Sequence, residues 1–234
     1  LNHSSGIRDV FSLKNVFISS TKKKKKKWSA SDLAEVCMNK KLKFSPGTDQ
    51  SYSNTNYILL GLIAEKATGK KINQLFEQII FEPLNLKNTF FVPYTPAPET
   101  LISGFVHHFA LSFCEWYPCE PDNTSWSTLG YSAGAMTANS NDLSAFIYHL
   151  FHGDIINSAS LAKMTEFFGN KGLGIFKFKI NNHIYYGHEG EITGFESMAV
   201  FNPETGIIIA ICCNTTPCKI VDILKEVESI LLPK

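Results

Sequence analysis

The stretch GLGIFKFKINNHIYYGHEGEITGFESMAVFNPETGIIIAICCN, residues 172–214, decides the fold. Before it, apolar residues recur every three or four positions. Within it they alternate or run together, the pattern of extended chain. Residues 173–180, 183–188, 196–201 and 206–214 read as four strands. Asn181-Asn182 and Asn202-Pro203-Glu204-Thr205-Gly206 supply the turns between them, and such short connections make antiparallel neighbours.

Outward from this meander the chain reads as helices. After it, Pro217 opens a last helix with Ile220, Ile223, Leu224, Val227 and Ile230-Leu231 on its apolar face. Before it, Asn141-Asp142 caps a helix through Leu150 that shows Leu143, Phe146, Ile147 and Leu150 on one side and ends at Gly153. The strongest helical periodicity spans 56–68, where Tyr57, Leu60, Ile63, Ala64 and Ala67 share a face and Gly69 supplies the C-terminal cap. A second helix is expected over 72–80, ending before Pro83. Ser29 or Ser31 can cap a helix that begins near Asp32. Residues 93–130 are rich in Pro, Ser, Thr and aromatics and read as a long irregular segment. Helices first, meander next and helix last make an α+β arrangement. The helical part is expected over 1–169 and the sheet with its last helix over 170–234.

With 234 residues, 44% hydrophobic and 18% charged, the chain is neither disordered nor fibrous. A net charge of +1 gives no global field for nucleic acid or acidic lipid. No apolar run reaches the roughly 18 residues of a membrane span. The six lysines 22–27 read as a solvated loop, since adjacent like charges repel. A contact with nucleic acid or an anionic membrane there would need aromatic or helical support that the neighbouring residues do not give. Six cysteines in a chain this large do not read as a disulfide scaffold, and Cys212 and Cys213 read as small core residues on opposite faces of a strand. His107, His108, Cys114 and Cys119 lack the close Cys-x-x-Cys pair of a structural zinc site and read as incidental polar residues of a loop. No metal or organic cofactor is expected.

Three short signatures carry chemistry. Leu1-Asn2-His3-Ser4-Ser5-Gly6-Ile7 opens the chain, Tyr52-Ser53-Asn54 precedes the strongest helix, and His188-Glu189-Gly190 stands at a strand end, followed by Gly194-Phe195. In this order they resemble the penicillin-recognising serine hydrolases, which include class C β-lactamases, DD-peptidases and esterase relatives. The likeness extends to Phe44-Ser45-Pro46-Gly47, Leu60-Gly61, Glu65, Thr68-Gly69, the 83–89 turn and Ser132-Ala133-Gly134 with Asp142-Leu143. His188-Glu189-Gly190 is similar to the H-x-G form of a motif that is K-T-G in other members.

The resemblance implies a helical subdomain beside an antiparallel sheet flanked by helices. It also implies roles: Tyr52 as base or proton relay, Asn54 holding a substrate amide or the catalytic lysine, and His188 lending a proton or binding a substrate carboxylate. The backbone N–H of Glu191 becomes an oxyanion donor, and Gly190 keeps that edge clear. Tyr52 and His188 are expected to serve one cleft. The implied substrate is a D-Ala-D-Ala peptide from peptidoglycan, a β-lactam or a small ester, with His in place of Lys favouring peptide or ester. Localisation outside the cytoplasm is implied if a signal peptide precedes Leu1.

The family's nucleophile lies in a Ser-x-x-Lys turn that should precede Leu1. Inside the chain, Ser19 and Ser20 match the pattern only because lysines follow them. Ser160-Leu161-Ala162-Lys163 falls after the Tyr motif and reads as a solvated helix face. The expectation is therefore an N-terminally incomplete member whose 206–214 strand lacks its usual neighbour. The rival reading is a non-catalytic relative that serves as a binding or regulatory module.

Overall fold

The computed structural model describes residues 1–16, 19, 26–94, 98–110, 113–119 and 124–232, with 107–110, 113–119, 124, 126 and 127 described by their backbone. Two compact units emerge: Leu1–Pro98 with Asp122–Thr137, and Glu99–Pro121 with Ala138–Lys234. The boundary expected at residue 169 follows the change of sequence period. The units instead group elements by long-range packing, so two helices and a hairpin join the sheet.

In the first unit, helix α1 (Ala30–Met38) starts at Ser29, whose hydroxyl accepts from the Asp32 N–H at 3.0 Å. Helix α2 (Thr55–Thr68) ends at Gly69 with φ 70°, a left-handed residue that suits a glycine cap. Helix α3 (Ile72–Phe76) continues into a π-helical turn over Glu77–Phe81. A short pair, β1 (Phe90–Phe91) with β4 (Met136–Thr137), closes the unit. Its core holds Val10, Leu33, Ile58, Phe91 and Leu129, all buried. Lysines 22–25 lie outside the described residues. Lys26 places its ammonium 3.3 Å above the Trp28 ring, and Trp28 donates through Nε1 to Ser125 on helix α4 (Thr124–Gly130) at 3.2 Å.

The second unit contains the expected four-stranded antiparallel meander, in the order β5 (Phe176–Ile180), β6 (His183–Ile192), β7 (Phe195–Phe201) and β8 (Ile208–Cys213). Strand β6 runs four residues beyond its expected end at His188, because Gly190 and two glutamates break the apolar alternation while β7 keeps pairing with it. One sheet face packs Tyr185, Met198, Val200 and Ile209 against Ile220 and Leu224 of helix α7 (Ile220–Leu231). On the other face Phe151 of helix α5 (Ser140–His152) stacks on Phe201 at 4.4 Å. Among the described residues, β8 pairs with β7 alone.

Several sequence expectations are corrected. The segment 93–130 is not irregular throughout: β2 (Gly104–Ala110) and β3 (Phe113–Cys119) form an antiparallel hairpin, and β9 (Thr215–Thr216) adds to β2 in parallel. Pro118 is tolerated because β3 is, among the described residues, an edge strand of its sheet. His107, His108, Cys114 and Cys119 thus stand on hairpin strands rather than on a loop. Asn139, not Asn141, caps α5, accepting from the Asp142 N–H at 2.9 Å. Helix α7 begins at Ile220 rather than Pro217, since Cys218 is bonded to Cys213 and Lys219 is left-handed at φ 55°. Ile230 is 78% exposed, so the apolar face of α7 is narrower than its sequence suggests. Cys213 is therefore a disulfide partner, and Cys212 is exposed instead of filling the core.

Candidate active site

In the first unit the segment 1–10 wraps the Tyr-Ser-Asn turn. The His3 carbonyl accepts from the Ser51 N–H at 3.0 Å, and His3 Nδ1 accepts from the Ser53 N–H at 3.1 Å. One Asp9 carboxylate oxygen accepts from the Asn54 N–H at 2.9 Å and from its side-chain amide at 3.2 Å. The Thr55 hydroxyl donates to the Arg8 carbonyl and accepts from the Val10 N–H, and Ser5 donates to the Asn56 side chain at 2.7 Å.

Along this turn Ser53 and Thr55 are fully buried whereas Tyr52 is 41% exposed, so the phenol faces outward from a rigid base. Asn54 stands at the start of α2 without capping it. Its amide is committed instead to Asp9 through one N–H, which leaves its carbonyl oxygen and second N–H for other partners. Tyr57, one helical turn on, donates to the Leu1 carbonyl at 2.7 Å, and burial, then Tyr52, pushes its phenol up to about 12.

In the second unit the His-x-Gly motif lies on β6. Its register with β5 ends where Phe176 faces Gly187, while that with β7 continues until Ile192 faces Phe195. From His188 onward, one edge of β6 therefore has no strand beside it in this sheet, among the described residues. Two-residue turns determine which peptide groups face that edge. Such a turn is flanked by a pair that exchanges both hydrogen bonds. Asn181-Asn182 joins Ile180 to His183, and Thr193-Gly194 joins Ile192 to Phe195. Counting in twos from His183 puts the peptide groups of 185, 187, 189 and 191 on the β5 side. Counting back from Ile192 puts 190, 188 and 186 on the β7 side. The two counts agree, and the N–H of Glu191 points out of the open edge.

Side chains follow the same alternation. His188 and Gly190 share a face with Tyr186, the face on which Phe151 packs. Gly190 leaves room for its cross-strand neighbour, because a Cβ placed on it would lie 2.5 Å from Ser197 Oγ. His188 stacks on Phe176 at 4.6 Å and donates through Nδ1 to the Glu189 carbonyl.

The structure thus brings Tyr52 together with Asn54, and His188 with Gly190 and Glu191, each group within its own unit. His3, Asp9 and Ser197 were not singled out as site residues from the sequence. The opening Asn-His-Ser-Ser-Gly signature was the available signal for His3. Ser160 and Lys163 are exposed on helix α6 (Ser158–Met164), none of whose residues is buried, in keeping with a solvated face.

A helical unit, an antiparallel sheet with helices on both faces and these motifs are the pattern of the penicillin-recognising serine hydrolase family. The β-lactamase family matches residues 1–222, and the chain belongs to that family. A D-stereospecific amidohydrolase from Streptomyces sp. superposes with a TM-score of 0.84 at 27% identity, covering 98% of this chain and 70% of that one. The D-amino acid amidase from Ochrobactrum anthropi SV3, complexed with D-phenylalanine, gives 0.77 at 26% identity, covering 92% and 63%. A Salmonella typhi protein assigned as a D-alanyl-D-alanine carboxypeptidase is 23% identical over 194 residues, 77% of this chain and 43% of its own length. The chain therefore spans less than half of such curated relatives.

Proposed function

We propose that this chain carries the proton-relay and oxyanion parts of a serine acyl-transfer site that hydrolyses an amide next to a D-configured residue. The observation that carries the reading is the open edge of β6, with the Glu191 N–H directed out of it beside His188. A peptide-like substrate can add to that edge as a short strand, and its reacting carbonyl then meets a preorganised donor. Tyr52 relays the proton between nucleophile and leaving amine, and Asn54 orients the neighbouring amide or ammonium. His188 binds the substrate carboxylate or lends a proton. The relatives that act on D-amino acid amides and D-alanyl-D-alanine support a D-peptide or D-amide over a β-lactam. No step calls on a metal or an organic cofactor.

The nucleophile is proposed to come from a Ser-x-x-Lys turn that is not Ser160–Lys163. The 234-residue chain alone is expected to stay unlabelled by fluorescent penicillin and to leave D-amino acid p-nitroanilides intact. Extended upstream by a Ser-x-x-Lys segment, it is expected to release p-nitroaniline from D- but not L-configured substrates. Labelling of the bare chain that vanishes in Ser160→Ala would overturn the assignment. A well-folded extended protein inert to every acyl probe would favour the non-catalytic family member.

A further inference from the structure

His3 meets the turn that carries Tyr52 at three points. Its carbonyl holds the peptide N–H of the preceding residue, Ser51, at 3.0 Å. Its Nδ1 holds that of the following residue, Ser53, at 3.1 Å. Its ring lies against the phenol, with centroids 4.2 Å apart and planes tilted by 31°. His3 is itself fixed: it is 1% exposed, and its ring also contacts Tyr57 with centroids 5.5 Å apart. Its φ of 63° lies in the left-handed region, which a non-glycine residue keeps only where its surroundings enforce it. Tyr52 is 41% exposed, and the fixed His3 ring is a surface against which its phenol packs.

We infer that His3 is a positioning residue: it holds the Tyr52 phenol in the one rotamer that presents its hydroxyl to the acyl substrate. This rests on the reading of Tyr52 as proton relay and adds the residue that makes the relay geometry reproducible. A catalytic group displaced by about 1 Å can lose roughly 100-fold in rate.

The test compares His3→Asn with His3→Phe in the 234-residue chain. Asn places Oδ1 where Nδ1 stood and keeps an acceptor for Ser53 without a ring; Phe keeps the ring without the acceptor. Three-bond couplings across χ1 of Tyr52 are expected to show one rotamer in the parent and in His3→Phe, and averaging in His3→Asn. Amide exchange at Ser53 should stay slow in His3→Asn and rise about tenfold or more in His3→Phe. A single Tyr52 rotamer in folded His3→Asn overturns the inference. If His3→Asn does not fold, His3→Phe decides: averaging there overturns it, and one rotamer supports it. In the protein extended with Ser-x-x-Lys, His3→Asn should slow acylation about 100-fold, with half-saturation changed less than about threefold. A parent that never acylates refutes the reaction and leaves the rotamer comparison standing. Parental acylation by His3→Asn refutes the positioning role alone.

Discussion

Gly190→Ala tests how tightly the His-x-Gly strand is packed against its neighbour. The new methyl would sit 2.5 Å from Ser197 Oγ but 3.9 Å from Ser197 Cβ. Only the hydroxyl obstructs it, and it falls short of van der Waals distance by about an ångström. A serine hydroxyl can turn about χ1, so the cost should be at the low end for overpacking, about 1 kcal/mol. Ser197→Ala removes the obstructing atom, and in that background Gly190→Ala should be neutral or stabilising by a few tenths, because Ala restricts the unfolded chain more than Gly. The coupling is therefore about 1 kcal/mol, above the roughly 0.3–0.5 kcal/mol within which independent substitutions add. Gly187→Ala is the severe control. Its methyl would lie 2.0 Å from the Ala199 carbonyl oxygen and 2.8 Å from Val200 Cα, backbone atoms that cannot rotate away. That substitution should exceed about 4 kcal/mol or prevent folding. Urea unfolding of the four proteins of the cycle measures the coupling. Additive Gly190 and Ser197 substitutions, or a Gly187→Ala as mild as Gly190→Ala, would refute the packing argument.

Three further outcomes follow from the geometry. Tyr57 titrates near 12 when folded and about 10 when unfolded. The folded state thus holds the proton more tightly, and this contribution is intact below about pH 10 and lost as pH rises through 12. Tyr57→Phe should flatten the stability curve there, by ~1–2 kcal/mol after allowance for its partial exposure, as read from urea midpoints at pH 9 and 11. Asp9→Ala removes the acceptor of two Asn54 hydrogen bonds, and calorimetry should show a loss of about 1–3 kcal/mol. The Cys213–Cys218 disulfide spans five positions, and a loop that short contributes about 2 kcal/mol by chain entropy. Reduction or Cys218→Ser should lower the urea midpoint accordingly.

The meander was legible because its strands are bounded by turn residues and need only local pairing. The hairpin 104–119 was not, since its pairing with Thr215–Thr216 joins residues more than a hundred positions apart. Strand β6 was read short because Gly190 and Glu191 are poor strand formers, held extended by pairing with β7. Tyr52, Asn54 and His188 could be named from motifs. Their settings could not: Asp9 and His3 are more than forty residues from the turn they hold. The disulfide escaped because strand alternation treats Cys212 and Cys213 alike, while the turn after β8 brings Cys218 back to only one of them.

The central claim is that Tyr52 and the Glu191 N–H serve one acylation. The most direct measurement is intact mass after exposure of the extended, Ser-x-x-Lys-bearing protein to a penicillin probe, for the parent, Tyr52→Phe and Glu191→Pro. Proline at 191 removes a donor that faces the open edge and leaves the bonds to β7 in place. The parent should gain one acyl adduct, Tyr52→Phe should lose most of it, and folded Glu191→Pro should acylate about 100- to 1000-fold more slowly. Acylation of Glu191→Pro or Tyr52→Phe at the parental rate would contradict the account.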